Sequence, residues 1–201
     1  MSLIVSQPKQ NDYTPIPDGT YLGVCSMIVD LGEMYSETYK KCQRKVMIGW
    51  QLPEETIEVN GKTEPRVVTN RYTATLGETG NLYRDLIAWR GKPFTAEELA
   101  AFNLENIIGA SCLLTVSTSK NGDKTYTNVT GVAKLLKGME KGELVGEPLL
   151  FNLDTATAED VEALPQWIAN QIKKSETYKA MTRPVQQPEF TELEDDGELP
   201  F

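Results

Sequence analysis

Two tyrosines and four cations crowd the stretch EMYSETYKKCQRK: Tyr35 and Tyr39, then Lys40, Lys41, Arg44 and Lys45. A shorter set lies in SKNGDKTY, with Lys120, Lys124 and Tyr126, and Arg71 adds a cation in RVVTNRYTATL. Flat rings beside positive charge suit a single strand of nucleic acid, because rings stack on bases while cations follow the phosphates. A base stack is worth about 1–3 kcal/mol, so two or three tyrosines outweigh any one lysine. Nothing in these stretches supplies a base-specific code, so the binding they imply is sequence-tolerant. The same residues have plainer uses, since strand tyrosines often only pack and lysines guard exposed sheet edges.

Other chemistry finds little support. The chain has no histidine, which removes the commonest general base and the usual partner of a serine or cysteine nucleophile. Cys25, Cys42 and Cys112 are odd in number and lack C-x-x-C spacing, which argues against both a disulfide framework and a zinc site. No phosphate-binding glycine loop or nucleophile elbow is present. The expectation is a binding protein, not an enzyme, with neither metal nor cofactor.

The elements that must position these residues are legible from their periodicity. After an extended arm over residues 1–17, GTYLGVCSMIVDLG reads as a first strand entered through the turn PDG. In KKCQRKVMIGWQL a period of two sets Cys42, Val46, Ile48, Trp50 and Leu52 on one face and Lys41, Gln43, Lys45, Met47 and Gln51 on the other. Trp50, on the apolar face, is expected in the core. RVVTNRYTATL is a third strand, with Thr69, Arg71, Thr73 and Thr75 opposite Val68, Tyr72, Ala74 and Leu76. Two helices follow: NLYRDLIAWRG, and TAEELAAF, which opens with the capping-box pair Thr95 and Glu98. GASCLLTVSTS and TYTNVTGVAKLL then form two strands about KNGD, whose Asn-Gly signals a hairpin.

Five strands with a helical insertion between the third and fourth predict a mainly β protein, an OB-fold-like Greek-key barrel over residues 18–150. In that barrel the two loops carrying Tyr35 to Lys45 and Lys120 to Tyr126 border the usual binding face. A helical segment over 151–183 places Val161, Leu164, Ile168 and Ile172 on one stripe, broken at Pro165, to pack on the barrel. Residues 184–201 are proline-broken and acidic, and read as a disordered tail. No apolar run reaches the roughly 20 residues that span a bilayer, and no signal pattern opens the chain, so a cytoplasmic location away from membranes is expected.

The net charge of −9 does not forbid an anionic partner, because the charge is segregated. Six acids lie beyond Arg183 with no Lys or Arg among them, and without them the balance is −3. Between Asp18 and Lys137 fourteen Lys and Arg meet fourteen Asp and Glu. The acids of the tail lead to Leu199, Pro200 and Phe201 in ELEDDGELPF.

That DDGELPF resembles the acidic tip of bacterial single-stranded-DNA-binding proteins, with Asp195, Asp196, Leu199, Pro200 and Phe201 on the pattern. Gly197 and Glu198 stand where the tip usually carries Asp or another residue. The whole arrangement, a β-barrel followed by a helical region and an acidic tail, is similar to phage-encoded single-stranded-DNA-binding proteins. The resemblance implies a protein that coats and protects single-stranded DNA during replication, recombination and repair. It implies that Asp195, Asp196, Glu198, Leu199, Pro200 and Phe201 recruit replication and recombination proteins, and that the tail competes with DNA for the groove. Oligomeric state varies within that group, so a homo-oligomer stays open. Two rivals share parts of the layout: a recombination annealing or mediator protein, and a β-barrel adaptor or virion protein that binds no nucleic acid.

Overall fold

The computed structural model describes residues 14–59, 61–122 and 124–183. Among these residues six strands and five short α-helices make a mainly β structure: β1 (Gly19–Ser36), β2 (Lys41–Val59), β3 (Lys62–Thr73), α1 (Asn81–Arg90), α2 (Ala96–Ala100), β4 (Ser111–Asn121), β5 (Lys124–Ala133), β6 (Leu149–Phe151), α3 (Ala158–Ala163), α4 (Gln166–Ile172) and α5 (Glu176–Met181). A 3-10 turn, Leu104–Ile107, precedes β4. The order across the sheet is β3-β2-β1-β4-β5, every neighbouring pair antiparallel, with β6 joined parallel to β1.

Where an OB-fold-like barrel was expected, the strands form an open sheet. β3 and β5 come near each other, yet no hydrogen-bonded ladder joins them among the described residues. α1 packs against both. Tyr72 of β3 donates to the Asp85 carboxylate of α1 at 2.8 Å, and the Lys134 N–H, just past β5, donates to the Ala88 carbonyl at 2.9 Å. Leu82, Leu86 and Trp89, the expected apolar stripe of α1, are buried there. The Thr95–Glu98 capping box opens α2 as the spacing predicts.

β1 explains how one strand serves the whole sheet. One edge pairs with β4 from Gly19 to Val24 and with β6 from Met27 to Val29, while the other pairs with β2 from Val24 to Ser36. Register shifts fall between Cys25 and Met27 and between Asp30 and Gly32. An extra residue in a strand bends it and inverts its side-chain phase. Cys25 and Ile28, three apart, therefore enter one core together, while Val29 and Leu31 enter another. Gly32 takes φ 76°, and a Cβ there would lie 2.8 Å from Leu153 and 2.9 Å from the Ser175 hydroxyl, so only glycine fits the close approach of α5's entry.

Two cores sandwich the central strands. The first joins Trp50, Ile48 and Leu52 of β2 to Val68 and Tyr72, Leu86 and Trp89, and Cys112, Leu114 and Val116. The second joins Val29, Leu31 and Met47 to Leu153, Val161, Ile168 and Ile172. The helical stripe thus packs on the outer face of the sheet, and Pro165 stands at the start of α4, where the break was expected. Leu164 packs at the rim of that core. Burial on both faces overturns the expected polar face of β2 at two positions. Met47 is fully buried, and Gln51 is buried with its side-chain amide exchanging hydrogen bonds with the Val145 backbone at 2.7 and 3.0 Å. At the other end, Ile16 of the expected extended arm is buried in the first core.

Candidate nucleic-acid interface

The β1–β2 hairpin ends with Tyr35 opposite Cys42 and Ser36 opposite Lys41. Lys40 closes the turn with φ 50°, a left-handed conformation uncommon for a residue with a Cβ. Tyr35 and Tyr39 are 52% and 66% exposed and stack on no other ring among the described residues. Lys41 is exposed, and Lys40 pairs with Glu37 at 3.2 Å. Both partners of that pair are well solvated, so it is worth well under about 1 kcal/mol and a stronger anion displaces it easily.

The remaining cations of this stretch have different fates. Arg44 sits beneath the tip on the inner side, donating to Asp30 at 2.5 and 3.2 Å and pairing with Asp154 at 2.6 Å. The Asp30 hydrogen bond, ahead of the Asp154 one, raises its pKa further despite some burial. These groups line a cavity of about 410 Å³ with Asn103, Glu105 and Asn152. A guanidinium held by two carboxylates offers little to a phosphate. Its work is to tie the loop after β6 to the sheet, where Asp30 also accepts the Leu153 N–H at 3.3 Å.

Lys45 and Arg71 lie on the outer face, on adjacent strands, with Lys45 opposite Thr73 and Arg71 opposite Met47. Lys45 donates to Thr73 at 2.7 Å and to Gln43 at 3.0 Å. Burial first, and then the Arg71 charge, pull the Lys45 pKa below its ordinary 10.5. Arg71 is exposed and donates to the side-chain Oε1 of Gln171 in α4 at 3.3 Å.

On the β4–β5 hairpin the ladder runs to Asn121 opposite Lys124, with Gly122 at φ 61°, so Asn121 ends the strand instead of opening the loop. Lys120 is exposed, and Tyr126, opposite Ser119, is 46% exposed. This hairpin extends beyond the Gly19 end of β1, whereas the Tyr35–Lys41 tip extends beyond the Ser36 end. The pairing brings Tyr35, Tyr39, Lys40 and Lys41 together, and separately Lys45 with Arg71, but sets the Lys120–Tyr126 group at the other end of the strand.

Among the described residues one exposed aromatic lies outside these sets. Trp167 of α4 is 47% exposed, off the stripe that makes α4 amphipathic. Its signal in the sequence was that mismatch with the stripe. The tail residues Asp195, Asp196, Glu198, Leu199, Pro200 and Phe201 fall outside the described residues. Among the described residues no group of three or more Cys, Asp or Glu is placed to hold a metal ion, and no helix is long and apolar enough to cross a membrane. No protein-family model and no curated protein matches the chain.

Proposed function

We propose that the protein binds single-stranded DNA with little sequence preference and that its acidic tail recruits partner proteins of replication and recombination. The observation that carries this reading is the hairpin tip, where Tyr35 and Tyr39 stand in solvent beside Lys40 and Lys41. Rings so exposed cost their own fold hydration of apolar surface, and stacking on bases recovers it. The strand order supports an OB-like reading. Three hairpin-connected strands with the fourth returning beside the first is a Greek-key connection, and an OB-fold is itself only partly closed.

The test is a titration of the full chain with a labelled oligo-dT and a matched duplex at two salt concentrations. Single-strand binding that weakens steeply with salt, through counterion release, is expected, with little binding to duplex. Removing Glu189–Phe201 should tighten binding at low salt, because six competing charges are gone. Phe201→Ala should leave DNA affinity unchanged and abolish partner capture. Absence of binding to either DNA would leave an adaptor role, and equal binding to both would replace strand coating with general polyanion binding.

A further inference from the structure

The outer face of the sheet carries two neighbouring cations, Lys45 and Arg71. Lys45 and Arg71 lie diagonally across β2 and β3, at the spacing where long side chains on one face interact. The Lys45 ammonium is held at the sheet by Thr73 and Gln43, both neutral. Among the described residues neither cation forms an ion pair. Two like charges facing each other at a half-buried site are relieved by an anion between them.

α4 reaches the same face through Gln171, one turn from Trp167. Trp167 and Gln171 are four residues apart on α4, with Cβ atoms about 5–6 Å apart on one flank. Gln171 accepts from Arg71 at 3.3 Å and donates to the Trp167 carbonyl at 3.4 Å, so the Trp167 flank is the one that faces β3. The opposite turn of the helix spends its apolar residues, Ile168, Ala169 and Ile172, on the second core. The other two tryptophans are spent inside the molecule: Trp50 and Trp89 are 1% and 7% exposed and pack against each other at 5.9 Å. Of the three, Trp167 alone is exposed, at 47%.

We propose that Lys45, Arg71 and Trp167 form a nucleotide subsite on the outer face of β2–β3, with the two cations on a phosphate and the indole stacked on a neighbouring base. The subsite rests on the single-strand-binding reading and adds a site that the tyrosine-bearing tip does not contain. Its occupant is a flexible single strand, because the base must be unstacked from its neighbours for an indole to take its face.

Two signals measured together separate this subsite from the broader reading. Anisotropy of a labelled oligo-dT reports binding anywhere on the protein, whereas tryptophan emission reports Trp167, the other two indoles being buried. With unlabelled oligo-dT, emission should fall with the midpoint seen by anisotropy, and the fall should vanish in Trp167→Phe. Trp167→Ala should weaken binding about 5- to 150-fold, the range of one lost base stack. Lys45→Gln and Arg71→Gln should each reduce the salt slope by about one. A thermal melt of each variant checks that it is folded. Anisotropy that rises while emission stays constant, with Trp167→Ala binding as the parent does, would overturn the subsite and leave the tip as the binding element. No anisotropy change with any single strand would overturn the subsite and the parent reading together.

Discussion

Cys42 and its two buried counterparts show how far one residue type can differ within a chain. Cys25 and Cys112 lie in the first core, and burial pushes the Cys25 thiol up to about 12 and raises Cys112 as well, with Cys25 adding to the latter. At about pH 8 the Cys25 thiol therefore stays protonated, and the thiolate is the reactive form. Cys42 stands exposed beside Tyr35 at the hairpin tip. A thiol reagent should therefore modify one cysteine in the native protein and three in denaturant. If the tip holds DNA, saturating oligo-dT should slow that single reaction several-fold. An unchanged rate under saturation would move the bound strand away from Tyr35.

At the scale of the element, the Asp30–Arg44–Asp154 cluster decides where β6 and the loop behind it sit. Asp30 accepts from the Gly32 N–H at 3.0 Å, from the Leu153 N–H at 3.3 Å and from Arg44, joining a β1 bulge, β2 and the start of the helical segment. Asp30→Ala leaves those donors without their acceptor, and a buried unsatisfied donor costs about 1–3 kcal/mol. We expect Asp30→Ala to lose about 3 kcal/mol in urea unfolding while the folded protein keeps its oligo-dT affinity within about twofold. Clearly tighter binding in Asp30→Ala would instead mean that Arg44, released from that carboxylate, takes a phosphate. The same element scale explains the short helices. Thr95 with Glu98, and Thr157 with Asp160, satisfy free N–H groups at helix starts, so helices of five and six residues hold their first turns.

For the whole molecule, the helical segment is part of the folding unit. Val161, Ile168 and Ile172 are fully buried against Val29, Leu31 and Met47, and β6 continues the sheet into that segment. Two cores that share β1 and β2 should melt together. Ile168→Ala, which empties a fully buried site, should cost about 2–5 kcal/mol and shift one cooperative transition detected equally by tryptophan emission and far-UV circular dichroism. Two separate transitions would mean that the helices unfold independently of the sheet.

The sequence by itself determined the local layer of this protein. Strand periods, the Thr95 capping box, the break at Pro165 and the hairpin at Asn121–Gly122 were legible because each depends on residues within a few positions of one another. The segregation of charge and the crowding of Tyr35 to Lys45 were equally plain. Only the tertiary structure decided that the sheet stays open, that a parallel β6 completes β1, and that β2 is buried on both faces. A strand's period reveals its apolar face, but whether the other face meets water or a helix depends on chain far away. The decisive contacts are of that kind: Gln51 with Val145, Arg44 with Asp154, and Arg71 with Gln171. Such contacts turned Arg44, one of several equivalent cations in the sequence, into a structural tie. They also set Arg71, beside Lys45, against Gln171 of a helix that lies a hundred residues further on, because long-range packing, and not spacing, chooses which charges remain free.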